Sequence, residues 1–347
     1  MTKSSDKIDE VADACRLHGS DSIILLSGVA GTGKTHLALA AAIDVAGHPA
    51  FVRQVQFHPS YTYEDFIEGL RPTSSGGFVV ESGVFTDWND QALADPANRY
   101  VLLVEELSRA NVNSVIGELM TYLEHRGRQF VLPLSRRTVT VAPNLVILAT
   151  MNPRDRSALE IDDALIRRLR IIDCPPDNEQ LREMLAASLP AGDPEGIVSS
   201  LEALFEGSRT AHPDTFETEM PFGHGMFAGV RDADDLVRLW RQRIKHLLRR
   251  PLVMPHPFAE TIESLYPWRP AIAAAPSGPP QVAATQPLPA TAGASTQVEA
   301  PSSASPGTGP AGRATESRIP PGPSLATTEA VAPDTPQPDD TGGSQQA

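Results

Sequence analysis

Eight consecutive residues, Gly28-Val29-Ala30-Gly31-Thr32-Gly33-Lys34-Thr35, fit the pattern G-x-x-x-x-G-K-[ST]. Their types point to one chemistry. Glycines let a main chain turn tightly enough for successive N–H groups to face a single anion. A helix opening at the end of the run adds the partial positive charge of its N-terminus. Lys34 is placed to reach the β- and γ-phosphates of a nucleoside triphosphate, and the Thr35 hydroxyl to hold Mg²⁺. The predicted nucleotide-binding set therefore runs from Gly28 through Thr35 to His36.

A second stretch, Val101-Leu102-Leu103-Val104-Glu105-Glu106, is an apolar strand ending in two acids. Beside a phosphate loop, the first acid supports Mg²⁺ and the second polarises the attacking water. Glu105 is thus the candidate metal residue, together with Thr35, and Glu106 the candidate general base. The usual pair is Asp-Glu. An extra methylene at Glu105 can displace the metal shell by about 1 Å, a misplacement that can cost about 10²-fold in rate. Two readings follow: a working hydrolase with an atypical metal acid, or a slow, nucleotide-gated scaffold.

These residues need a frame. Residues 22–27 are a short apolar run, as expected of a buried parallel strand, and Thr35 to Ala46 is Ala- and Leu-rich like a helix. Further strands are predicted at Ala50–Phe57, Tyr100–Val104, Leu145–Ala149 and Arg170–Asp173, with a helix over Val112–Glu124 and a hairpin over Gln129–Val141 around Ser135-Arg136-Arg137. Strands alternating with helices argue for a parallel sheet covered on both faces. Helical patterns continue at Asn178–Leu189 and Ala233–Arg249, the second carrying an apolar stripe read as core packing.

Composition bounds the rest. The 347 residues suggest roughly two domains. The net charge of −14 argues against a surface that coats nucleic acid, although a local or ring-built basic channel stays open. Two distant cysteines, Cys15 and Cys174, argue against a disulfide scaffold or a Cys-rich zinc site. No apolar run is long enough to span a membrane and no signal-peptide pattern opens the chain, so a cytoplasmic protein with no membrane partner is expected. Half of the 32 prolines fall from Pro267 onward, in a segment rich in Ala, Ser, Thr and Gly. Such a composition cannot bury enough apolar area to offset ordering, so a disordered tail is expected. The anticipated order is an N-terminal extension (1–21), an α/β core (22–176), a small helical lid (177–266) and the tail (267–347).

Several segments together resemble the McrB-type AAA+ NTPases, of the dynein-related and MoxR-like group. Phe57 to Pro72 reads F-H-P-S-Y-T-Y-E-D-F-I-E-G-L-R-P, similar to that family's hallmark. Met151-Asn152-Pro153-Arg154-Asp155-Arg156-Ser157 resembles its M-N-x-x-D-R-S signature, Ala164 to Leu169 its arginine run, and Phe222-Gly223-His224-Gly225-Met226-Phe227 its lid motif. The resemblance covers about residues 20–250, in order. It implies an AAA+ parallel five-stranded sheet with a helical lid. Asn152 matches the polar residue that contacts the γ-phosphate or attacking water, and Asp155 and Arg156 the pair near the nucleotide. Arg167 and Arg168 match arginines that reach a neighbouring subunit's site. It further implies a closed ring, a hexamer by analogy, with a McrC-like nuclease or another effector subunit, in DNA restriction or defence. Ser108 stands where the pattern has Asn, Glu105 where it has Asp, and Ile166 where it has the first Arg. Family members carry a modified-cytosine-binding domain ahead of the NTPase. Residues 1–21 leave no room for one, so target recognition is expected in another subunit, with DNA engaged only indirectly, or the target is not DNA. A MoxR-like protein-remodelling chaperone is the alternative motor. The expected nucleotide is ATP, with GTP open, because no Asn-Lys-x-Asp guanine signature appears. His58 and Tyr61 are read as fixing a loop, Glu64 and Asp65 as opening a short helix, and His224 as lid packing with nucleotide sensing as the alternative. Arg136 and Arg137 are read as surface charge or as a pore loop. The basic end of the lid helix (Arg241, Arg243, Lys245, Arg249, Arg250) is read as helix C-terminal charge or as a contact surface.

Overall fold

The computed structural model describes residues 3–155, 163–190, 193, 196–249 and 256–269. Most of the segment expected to be a tail, along with Arg156, Ser157 and Arg250, lies outside the described residues. In chain order the core contains α1 (Lys3–His18), β1 (Ile23–Ser27), α2 (Lys34–Ala46), β2 (Val52–Gln56), α3 (Tyr63–Phe66), the hairpin β3 (Glu68–Pro72) and β4 (Phe78–Ser82), and α4 (Val84–Ala94). There follow β5 (Tyr100–Glu105), α5 (Val112–Ile116), α6 (Leu119–Leu123), the hairpin β6 (Gln129–Val131) and β7 (Thr138–Thr140), β8 (Leu145–Met151), α7 (Asp163–Ile166) and β9 (Leu169–Asp173). A helical layer then comprises α8 (Asn178–Ala186), α9 (Ile197–Ala211), α10 (Phe216–Glu219), α11 (Ala233–Leu239), α12 (Lys245–Leu248) and α13 (Ala259–Leu265).

The main sheet has five strands in the order β2-β5-β8-β1-β9, with every neighbouring pair parallel. Its central strands carry unbroken apolar runs, Ile23–Leu26, Val101–Val104 and Leu145–Ala149, because both faces are covered. Ile23 and Leu25 join one core with Leu102, Val104 and Ile147; Ile24 and Leu26 join the other with Val101, Leu103 and Leu148. This is the expected α/β class.

Residues 3–18 are more structured than their polarity suggests. Ile8, Val11, Ala12 and Cys15 make a helical stripe that packs α1 onto Ala38, Ala41, Ala42 and Val45 of α2. Burial pushes the Cys15 thiol up to about 12, so it is an inert packing group. The expected helix over Val112–Glu124 is broken into α5 and α6 at Gly117, whose φ of 53° and ψ of −131° no helix contains. The lid helix runs over Ala233–Leu248 as anticipated, with a π-turn at Trp240–Ile244. Its stripe Leu236, Trp240, Ile244 and Leu248 is buried in the helical layer's own core.

The two hairpins are joined by a buried acid. Glu68, 1% exposed, accepts from the N–H groups of Leu134 (2.7 Å) and Ser135 (3.2 Å) in the β6–β7 connection. At that tip Arg136 has φ 58°, and Arg137 pairs with Asp90 at 2.5 Å.

Candidate nucleotide site

Strand order brings the site together. The loop of residues 28–33 leaves the C-terminal end of β1, and β8 lies beside β1 with β5 next to β8. The Gly28 N–H donates to the Met151 carbonyl at 3.2 Å, so the end of β8 holds the start of the loop. A Cβ on Gly28 would stand 2.3 Å from the Cys174 carbonyl oxygen, which leaves room only for glycine. Gly31 and Gly33 adopt φ of 83° and 78°, left-handed values that turn the main chain into α2. The Lys34 ammonium is tucked under the loop and donates to the Val29 carbonyl at 2.8 Å. Burial pushes its pKa below the ordinary lysine value, and the negative charges of Glu106 and Asp155 work against that shift.

Two acids face this loop. The Thr35 hydroxyl donates to Glu105 Oε2 at 3.4 Å, and Gln54 Nε2 donates to Glu105 Oε1 at 2.9 Å. Glu106 takes a left-handed φ of 56°, and its N–H donates to Thr150 Oγ1 at 3.2 Å. That turn takes the second acid off the strand line. Its Oε2 lies 3.2 Å from Arg109 Nε, and the same nitrogen is 3.6 Å from Asp155 Oδ2. Asn152 closes the chain of contacts: its Nδ2 donates to Asp155 Oδ1 at 3.5 Å, and its Oδ1 accepts from the Arg154 N–H at 3.2 Å. Glu106, Arg109, Asp155 and Asn152 are thus one linked polar set. Ser108 is fully buried, and its hydroxyl oxygen has no hydrogen-bond partner among the described residues.

Arg167 and Arg168 stand elsewhere. The Arg168 carbonyl accepts from the Ile23 N–H at the start of β1, at 2.9 Å, whereas the phosphate loop leaves the other end of that strand. Five strand residues at about 3.3 Å each put about 17 Å between them. Arg167 is exposed, with its Nε donating to the Asp163 carbonyl at 3.2 Å. The Arg168 guanidinium pairs with Glu124 at 3.2 Å.

The helical layer is clasped onto the loop. The N–H groups of Gly223 and Gly225 donate to the carbonyls of Ala30 (2.8 Å) and Gly31 (2.7 Å). A Cβ at either glycine would approach the Gly31 oxygen to 2.5 or 2.8 Å, so both positions require glycine. Val29 is buried among lid side chains. Between α1, the start of α2 and α8 lies a cavity of about 590 Å³, lined by Gly31, Thr32, Gly33, His36, Gln180 and His224 among others. A smaller one of about 410 Å³ continues toward Asp6, Glu10 and Asp177.

The residues in place fit a magnesium-bound nucleoside triphosphate. The loop is a glycine cradle that side chains would fill. Thr35 and Glu105 present hard oxygen donors, which suit Mg²⁺ completed by phosphate oxygens and water. Among the described residues no cluster of three or more His, Cys, Asp or Glu suits a protein-only metal site.

His58 and Tyr61 support the loop after β2. Tyr61 stacks on Phe57 at 4.7 Å, with His58 edge-on at 5.6 Å. Glu64 and Asp65 open α3, where Asp65 forms a reciprocal cap with Thr62. In the basic lid end, Arg249 pairs with Glu263 at 3.2 Å. Gln54, Arg109, Thr150 and Asp177 were not singled out by sequence reasoning. Strand pairing and turn geometry deliver them to the site, and no local spacing signals that.

Loop, acid pair and lid together define a phosphate-loop α/β nucleotide-binding module. Residues 23–169 match the AAA domain of the dynein-related subfamily. Over 173 residues the chain is 39% identical to the type IV methyl-directed restriction enzyme EcoKMcrB subunit of Escherichia coli (strain K12), covering 47% of this chain and 38% of that protein. Over 186 residues it is 26% identical to the type II restriction enzyme BsuMI component YdiS of Bacillus subtilis (strain 168), covering 42% of this chain and 54% of that protein. The chain thus spans about half or less of the length of these relatives. Among solved structures, a putative ATPase from Cytophaga hutchinsonii aligns with a TM-score of 0.34 and 16% identity, over 61% of this chain and 68% of that one. No helix among the described residues is long and apolar enough to cross a membrane.

Proposed function

We propose that this chain is a cytoplasmic, Mg²⁺-dependent nucleoside triphosphatase that works as a homo-oligomeric ring, a hexamer by family analogy. ATP is the preferred substrate, with GTP the alternative. The ring drives a McrC-like nuclease or another effector subunit in a DNA restriction or defence complex, and engages DNA only indirectly. The observation that carries this reading is the meeting of Thr35 and Glu105 at 3.4 Å beside Lys34, with Glu106 directed away from the strand at the next residue.

The roles follow from the chemistry of each group. Main-chain N–H groups of residues 28–35 hold the phosphate chain, and Lys34 leaves the Val29 carbonyl to neutralise the β- and γ-phosphates. Bound Mg²⁺, held by Thr35 and Glu105, would draw electron density from the phosphate oxygens. Glu106 accepts the proton of the attacking water, and Asn152 orients that water or the γ-phosphate. Asp155 holds Arg109 and so sets where the Glu106 carboxylate points. Arg167 or Arg168 comes from the adjoining subunit, because both stand about 17 Å from their own loop. An arginine supplied in this way adds about 10³–10⁵ in rate by neutralising charge that develops in the transition state.

Steady-state hydrolysis of ATP and GTP, with and without Mg²⁺ and partner, tests the reading. Mg²⁺-dependent turnover that disappears in Lys34→Ala is expected. Turnover no greater than in that variant, under all conditions, overturns it. Competition between labelled ATP and GTP settles the base, and a several-hundred-fold preference for GTP reverses the choice of ATP.

A further inference from the structure

His224 belongs to the lid yet stands against the phosphate loop. It is 5% exposed and opens a short 3-10 turn, His224–Phe227. The flanking glycines bond to Ala30 and Gly31, so the ring is held in fixed register with the loop. Its Nδ1 accepts from the Asp177 N–H at 3.2 Å. A neutral imidazole that accepts at Nδ1 carries its proton on Nε2. Burial keeps this imidazole neutral by lowering its pKa, against the opposing pull of Asp177. Nε2–H is therefore a donor of known direction. It points over Gly33, where an added Cβ would lie 3.9 Å away, and into the 590 Å³ cavity. Among the described residues nothing accepts from it. The donor faces this open cavity, where a ligand oxygen can take the place of water.

The ligand's orientation is set by the rest of the site. Glu105, Glu106 and Asn152 mark the end where the terminal phosphate reacts. The cavity lies at the other end, between α1, α8 and the first turn of α2. We propose that His224 is a nucleotide-binding residue whose Nε2–H donates to a ribose oxygen of a bound nucleoside di- or triphosphate, so that the lid reads the nucleoside end while the loop grips the phosphates. This rests on the nucleotide-binding reading above and adds a contact to it.

Calorimetric titration of the full chain with ATP, ADP and inorganic tripolyphosphate tests the contact. In His224→Asn the side-chain oxygen still reaches the Asp177 N–H, but no donor stands at the Nε2 position. We expect it to bind ATP and ADP about fivefold more weakly, by the same factor for both, as loss of a hydrogen bond to a neutral oxygen implies. Its affinity for tripolyphosphate stays unchanged. His224→Gln, whose amide reaches the Nε2 position, recovers most of the loss. Binding of ADP by His224→Asn within about twofold of the unaltered chain overturns the inference, as does an equal loss for tripolyphosphate, since both leave no specific nucleoside-end contact. An unaltered chain that binds neither nucleotide sinks the underlying reading with it, and only that outcome does so.

Discussion

The Thr35 hydroxyl and the Glu105 carboxylate, 70 positions apart in the chain, meet at 3.4 Å. The longer acid finds its place because Gln54, from the neighbouring strand β2, holds its other oxygen at 2.9 Å. The added methylene is thereby taken up without turning the carboxylate away from the hydroxyl. Glu105→Gln is expected to lower Mg²⁺-dependent kcat by about 10²-fold or more, since it removes the charged oxygen donor. Gln54→Ala should cost about tenfold by releasing that donor. Rates measured across a magnesium titration check both. A Gln54→Ala variant with unaltered kcat and metal dependence would show that the glutamine is a bystander.

Arg109 stands between Glu106 and Asp155, at 3.2 and 3.6 Å. Without its charge the two carboxylates face one another and Glu106 loses its heading. Arg109→Gln should lower kcat by about 10- to 100-fold, the scale of general-base catalysis lost to misplacement, while nucleotide affinity changes less than about threefold. Single-turnover rates set beside binding constants separate the two effects. A parallel fall in affinity would assign Arg109 to nucleotide binding.

Arg168 is engaged with Glu124 inside its own subunit, whereas Arg167 is exposed. Arg167 is therefore expected to act across the subunit boundary. Arg167→Ala should lose about 10³-fold or more in hydrolysis with an unchanged melting temperature. Arg168→Ala should melt earlier, by the small amount that a partly exposed ion pair contributes, about 0.2–1 kcal/mol. Mixing Arg167→Ala with Lys34→Ala chains should restore part of the activity, because each supplies what the other lacks. No recovery on mixing would contradict action in trans.

His224 makes stability depend on pH. Its folded pKa lies below the ordinary value of 6.5. As pH falls through about 6.5 the unfolded chain takes up a proton that the folded chain does not, so stability declines on the acid side and is fully present above it. One such group gives at most about 1.4 kcal/mol per pH unit. Melting curves between pH 5 and 7.5 for the unaltered chain and His224→Asn should converge on acidification, and parallel curves would exclude the effect.

The strands were legible in the sequence because both faces of the sheet are buried. Ile23 to Leu26, Val101 to Val104 and Leu145 to Ala149 are apolar without a break. The phosphate loop was legible because its glycines and lysine act through the main chain at fixed spacing. α1 was not, because a stripe of Ile8, Val11, Ala12 and Cys15 is hidden among charged residues. The break at Gly117 was not either, since a lone glycine in a helical pattern is ordinarily tolerated. Gln54 and Arg109 gave no signal. The first reaches Glu105 across a strand pairing, and the second reaches Glu106 and Asp155 only after a left-handed turn. The direction of the His224 proton depends on one main-chain amide 47 positions away, which no side-chain pattern encodes.

Val29 is a phosphate-loop residue by position but a lid residue by packing, buried with Leu181, Phe222 and Phe227. The helical layer cannot melt while the loop keeps its shape, since its apolar interior would lose a plug and two carbonyl partners at once. Heating should therefore give one cooperative transition, and the amides of residues 29–33 should exchange with deuterium in step with those of Phe222–Phe227 and not with the central strands.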